Sequence, residues 1–143
     1  LSDAFCVDRH RASFRRLVAD EVDILFANET EILSLYETTR FDDALQGARR
    51  DCKLAALTRG AAGSVIVARD EVHVIDAVPV AQVVDTTGSG DLYAAGFLYG
   101  LTQGKSLASS GALGALAASE IISHTGARPQ ADLRALAHQA GLL

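Results

Sequence analysis

The sequence predicts an α/β fold, and three observations carry that expectation. Short runs of strand-forming residues, 22–27 and 53–58, alternate with longer segments of helical periodicity. Two further strand-like runs, 64–68 and 71–75, are separated only by Arg69-Asp70, the spacing of a β-hairpin. Hydrophobic residues make up 49% of the 143 residues, enough for the core of one ordinary domain.

Each element has its local reason. Residues 10–20 place Phe14, Leu17 and Val18 on one helical face. The strand at 22–27 ends in Asn28-Glu29-Thr30-Glu31, from which a helix runs to about Tyr36, and another helix is expected over 41–50. The second buried strand, 53–58, is broken by Arg59-Gly60-Ala61-Ala62-Gly63, and the hairpin follows. A further strand is expected over 78–84, with Pro79 assigning it to an edge or a strand start. Residues 91–102 and 106–124 are apolar nearly all round, the pattern of buried helices. Gly96, Gly100, Gly111 and Gly114 would let those helices approach closely. A last amphipathic helix is expected over 131–140, after Pro129. The early strands are expected to be parallel.

Charge narrows the partners. A net charge of −5 with no basic stripe argues against a nucleic-acid or anionic-membrane surface. A small anion could still be held by backbone amides. Cys6 and Cys52 form no CxxC pair, which fits a reducing cytoplasm, and the weakly polar stretch 107–122 is too short and too polar to span a bilayer. The four histidines are too irregularly spaced for a metal site. Methionine is absent even at position 1, so the chain is expected to be partial.

The stretch with chemical potential is Val84-Asp85-Thr86-Thr87-Gly88-Ser89-Gly90-Asp91, between strand-formers and an apolar helix. Familiar glycine motifs fail here. GxGxxG would need glycine at Tyr93, and GxSxG fails at Thr87. The run from Gly100 to Ser106 has three residues between its glycines instead of a P-loop's four, and it follows a helix. What remains is a bend at which the amides of Gly88, Ser89 and Gly90 can converge at a helix N-terminus, a geometry that binds phosphate. Asp91 then either caps the helix or accepts a proton from a hydroxyl. Glycine spacing alone leaves both readings open.

Asp85-Thr86-Thr87-Gly88-Ser89-Gly90-Asp91, followed by Ala95-Gly96-Phe97-Leu98, resembles the C-terminal signature of the ribokinase-like (phosphofructokinase B type) carbohydrate kinases. The commoner spelling has Ala at Ser89. Asn28-Glu29-Thr30-Glu31 is similar to the family's NxxE element, and Thr58-Arg59-Gly60-Ala61-Ala62-Gly63 resembles its TxGxxG turn, both in the family's order. Gly126-Ala127-Arg128-Pro129 looks like its terminal turn, although Gln130 stands where a smaller residue is usual.

The resemblance implies a three-layer α/β/α fold with a mainly parallel sheet and a β-hairpin. Residues 1–143 would be the C-terminal, ATP-binding half of one ribokinase-like domain, without the N-terminal substrate and lid half. It implies ATP-dependent phosphoryl transfer to a primary hydroxyl of a nucleoside or sugar. Asp91 would be the base, and Gly88, Ser89 and Gly90 the anion hole. Thr58, Gly60, Gly63 and Asn28 would serve ATP, with Ala117, Ala118 and Ile121 beside the adenine. Glu31 would position Mg²⁺ through water, and Asp85 and Thr87 would help hold K⁺. FCVDRHRASF and DILFANETEILSLY look most like bacterial adenosine kinase-like members. Ribokinase and fructokinase branches stay open, as do a non-catalytic nucleotide-binding module and an inactive fragment.

Overall fold

A computed structural model describes all 143 residues and contains a four-stranded mixed sheet of order β1-β2-β3-β4 with seven α-helices. The chain divides into two compact units. One comprises residues 1–60 and 65–73, and the other comprises 61–64 and 74–143.

The first unit is built on two strands. β1 (Ile24–Asn28) and β2 (Leu54–Thr58) run parallel, with Ile24 opposite Leu54 and Asn28 opposite Thr58. That register aligns the C-terminal ends of the two strands, where the polar residues stand. Around them lie α1 (Ala4–Arg9), α2 (Arg11–Asp20), α3 (Glu29–Tyr36) and α4 (Phe41–Asp51). The apolar residues of strands and helices meet in one cluster that includes Val7, Val18, Leu25, Ile32, Leu35, Ala44 and Leu57. In α4, Asp42 and Asp43 in the first turn and Arg49 and Arg50 in the last complement the helix dipole. Helix α1 precedes the first helix expected from periodicity, at 10–20. The Asp3 side chain accepts the Phe5 and Cys6 amides and so starts a helix there.

The hairpin strands β3 (Ser64–Ala68) and β4 (Glu71–Ile75) complete the sheet as expected. Their turn places Arg69 in left-handed backbone, φ 44°.

The second unit is mainly helical, with α5 (Ser89–Thr102), α6 (Leu107–Ile121) and α7 (Leu133–Gln139). Helices α5 and α6 touch closely. A Cβ on Gly96 would lie 2.5 Å from the Leu113 carbonyl oxygen, one on Gly100 2.6 Å from Ser110 Oγ, and one on Gly114 2.8 Å from the Tyr93 carbonyl oxygen. At that contact Tyr93 and Ser64 share a buried hydrogen bond of 2.7 Å.

Two expectations need correcting. Residues 78–84 form no strand; they run without a ladder partner, and Val84 N–H instead donates to the Ile122 carbonyl at 2.8 Å. β-forming side chains favour a strand only where a neighbouring strand is present to accept it, and Pro79 lacks an amide. Helix α5 is not enclosed on all sides, since Leu98 and Tyr99 are exposed while Tyr93 and Phe97 are buried. No helix is long and apolar enough to cross a membrane.

Candidate active site

The bend before α5 is built by its own backbone. Gly88 caps the helix in left-handed conformation, φ 81° and ψ 1°, and a Cβ there would lie 3.0 Å from Ala127 Cβ. The left-handed conformation favours glycine, and the space beside it is tight. The Ser89 N–H closes a turn onto the Thr86 carbonyl at 3.1 Å, and the Leu92 N–H donates to the Gly88 carbonyl at 2.9 Å. The amides of Gly88, Gly90 and Asp91 have no partner within the chain. The open donors are therefore at 88, 90 and 91, and not at 88, 89 and 90 as glycine spacing suggests. Ser89's amide is taken up by the turn that makes the bend.

Gly90 differs from Gly88. Its backbone is not left-handed, and a Cβ there would meet nothing within 4 Å. The space beside Gly90 is open, and the unpartnered amides stand at the positive end of the helix. Such a cradle fits a phosphate or another small anion. Asp91 is exposed, and its carboxylate makes no capping hydrogen bond. Of the two readings of this acid, hydrogen-bonded capping is not formed.

Two carboxylates hold segments near the bend, Asp85 the loop leading into it and Glu120 the segment after α6. Asp85 accepts the Thr87 amide at 2.9 Å and the Gly126 amide at 3.0 Å, one on each oxygen. The Gly126 amide and then Thr87 hold its carboxyl down at about 2. Glu120, nine-tenths buried on α6, accepts the Gln130 and Ala131 amides at 2.8 Å each and faces His124 Nε2 at 3.1 Å, all on Oε1. Burial pushes this carboxyl up, but the Ala131 and Gln130 amides and His124 together take it below the usual range.

In the first unit, Asn28 and Glu31 close a reciprocal cap at the start of α3. Asn28 Oδ1 accepts the Glu31 amide, while Glu31 accepts the Asn28 amide and side-chain amide, each at 2.9 Å. Glu31 is buried, and both its oxygens are engaged. Nowhere do three His, Cys, Asp or Glu side chains gather as a direct metal-ligand set. Arg59, at the variable position of the TxGxxG-like turn, forks onto Glu29 at 3.0 and 3.3 Å and lies 4.0 Å from the centre of the Phe41 ring. The C-terminal end of β2 and the NxxE-like helix start are thereby tied together. Thr58 ends β2, and Gly60 (φ 56°) begins a short 3₁₀ turn.

Gly63 lies in the second unit. Its φ is 81°, and a Cβ there would come 2.0 Å from the Ile75 carbonyl oxygen. Of the three residues expected beside an adenine, Ile121 is fully enclosed and Ala117 nearly so. Only Ala118 keeps partly exposed surface. Their helical spacing turns the first two into the interior.

The Arg59–Glu29 fork and the Glu120 clamp escape motif reading. Both occupy positions that motifs leave variable, and the only sequence signal of Glu120 is an acid inside an otherwise apolar segment.

Comparison with known proteins decides the family. Residues 3–133 match the model of the pfkB family carbohydrate kinases. The chain belongs to the pfkB family of carbohydrate kinases. Among solved relatives, a probable sugar kinase from Rhizobium etli CFN 42 is 51% identical over all of this chain, with a TM-score of 0.98. The adenosine kinase from Sinorhizobium meliloti is 52% identical over 98% of it, with a TM-score of 0.95. The ribokinase of Arabidopsis thaliana, solved with ribose and ATP, is 30% identical over 87%, with a TM-score of 0.75. The chain spans 44%, 43% and 42% of the lengths of those three proteins.

Proposed function

We propose that residues 1–143 are the C-terminal, ATP-side half of one ribokinase-like domain in a longer kinase. That kinase transfers the γ-phosphoryl group of ATP to a primary hydroxyl of a nucleoside or sugar. The observation that carries this reading is the trio of unpartnered amides at 88, 90 and 91 at the start of α5, with open space at Gly90 and the exposed, uncapped carboxylate of Asp91 next to it. A binding module has no use for an unpaired acid at that position, whereas a kinase does.

Asp91 takes the hydroxyl proton as the acceptor oxygen bonds to the γ-phosphorus, and ADP departs with the electrons of the broken P–O bond. The amides at 88, 90 and 91 stabilise the negative charge on the transferring group, and their fixed orientation requires no rearrangement. The turn from Thr58 through Gly60 to Gly63 serves the nucleotide phosphates through its backbone. Ala118 is the residue left to meet the adenine. Mg²⁺, bound with the nucleotide, would neutralise phosphate charge. Glu31 and Asn28, already bonded to each other, would act toward it through water. At the terminal turn, K⁺ would find Asp85 and Thr87, with Asp85 already serving two amides.

A nucleoside acceptor of the adenosine type is favoured by the 52% identity to an adenosine kinase. The sugar reading, of ribokinase or fructokinase type, draws on the equally similar probable sugar kinase. Full-length protein containing this chain, given ATP and a panel of nucleosides and sugars, should form a phosphorylated nucleoside fastest. Faster turnover of a sugar would move the assignment to the second reading. ATP consumption that no acceptor raises would remove the kinase reading.

A further inference from the structure

Glu120 presents an energetic puzzle. Its side chain is nine-tenths buried, and Oε2 is buried without any partner, while Oε1 alone takes the Gln130 and Ala131 amides and faces His124. Burying Oε2 without a partner carries a desolvation cost, and the contacts of Oε1 supply the gain that offsets it. The bonds of Oε1 show where that gain falls. They fasten the segment after α6 back onto the helix. The same segment donates the Gly126 amide to Asp85, and its Ala127 stands 3.0 Å from where a Gly88 Cβ would be. Asp85 in turn holds the Thr87 amide, one residue before the left-handed cap. Glu120 is thus joined to the anion bend by three successive contacts within one unit.

We propose that Glu120 is a positioning residue for the amide bend: by anchoring the segment 124–131, it holds that segment against Gly88 and Asp85 and so aims the amides of Gly88, Gly90 and Asp91. The inference rests on the kinase reading for its kinetic consequence, but not for its structural one. Glu120→Gln keeps an oxygen acceptor for the two amides. Glu120→Ala removes it, and Glu120→Asp withdraws it by one methylene.

The test uses full-length protein containing the chain, with amide hydrogen exchange followed over residues 84–92. In Glu120→Ala, exchange of the bonded amides of Val84, Thr87, Ser89 and Leu92 should quicken about tenfold or more, with α5 beyond its first turn unchanged and Glu120→Gln close to the parent. Catalysis should lose about tenfold in kcat with KM for ATP within about twofold, since the bend acts on charge that develops during transfer. If the alanine variant does not fold, Glu120→Asp gives the same readouts. Parental exchange over 84–92 in the disrupted variant would overturn the proposal. A parent protein without phosphoryl transfer would sink the kinase reading instead, and the exchange measurement would still decide the role of Glu120.

Discussion

Single residues at the bend carry separate duties, and each can be removed alone. Asp91 is exposed and takes no part in capping, so Asp91→Asn alters proton acceptance without disturbing the fold. Turnover in the full-length protein should fall by roughly 100-fold or more, with ATP affinity within severalfold. A near-parental rate, measured by a coupled ADP assay, would strip Asp91 of the base role. Asp85 acts on the loop. Its carboxyl is held at about 2 by the Gly126 amide and by Thr87, below its value in an unfolded chain. A carboxyl depressed by folding stabilises the folded state above its unfolded pKa, about 3.9, and that contribution fades as pH falls through about 2. Asp85→Asn should therefore lower melting temperature at pH 7, and the difference from the parent should shrink toward pH 2. A constant difference across that range would mean that the charge plays no part in the clamp. The motif reading located both acids from sequence spacing. Their division of labour was not legible there, because it depends on which amides lie within 3 Å.

At the scale of elements, α5 carries two glycines of opposite meaning. Gly96 is needed for contact, since a Cβ would lie 2.5 Å from the backbone oxygen of Leu113. Gly96→Ala should destabilise the α5–α6 contact by about 1–3 kcal/mol, read as a lower midpoint in urea. Gly90 faces open space in helical backbone. Gly90→Ala should leave the midpoint unchanged or raise it by about 0.5–1 kcal/mol, through helix propensity. The added methyl would still stand in the phosphate approach and lower kcat/KM for ATP at least about tenfold. A variant with both parental stability and parental kcat/KM would show that no ligand approaches Gly90. Sequence pattern gave both helices and their glycine contacts, because small residues at helical spacing have few other uses. It failed at 78–84, where β-forming side chains lack a partner strand, and it assigned no helix to 4–9, where the Asp3 cap starts one.

For the whole molecule, the proposed division of labour lies between this chain and the remainder of a longer one. The NxxE-like cap, the TxGxxG-like turn, the open amides and Asp91 all belong to these residues, and all are assigned to the phosphate side. No acceptor-selecting residue is assigned to the chain, which spans less than half the length of these solved relatives. Phosphoryl transfer needs both reactants held in line, and orientation is worth several orders of magnitude in rate. The 143-residue chain alone should therefore phosphorylate no nucleoside or sugar above background, while full-length protein containing it turns over at a rate at least about a thousandfold higher. Product formation by radiolabel transfer from ATP measures both. If the short chain came within about tenfold of the long one, it would hold an acceptor site of its own, and the half-domain proposal would be wrong. Exposed Val83, Val84, Leu98 and Tyr99 provide an independent check on the same idea. If the longer protein covers them, a polarity-sensitive dye should bind the short chain more strongly than the full-length form.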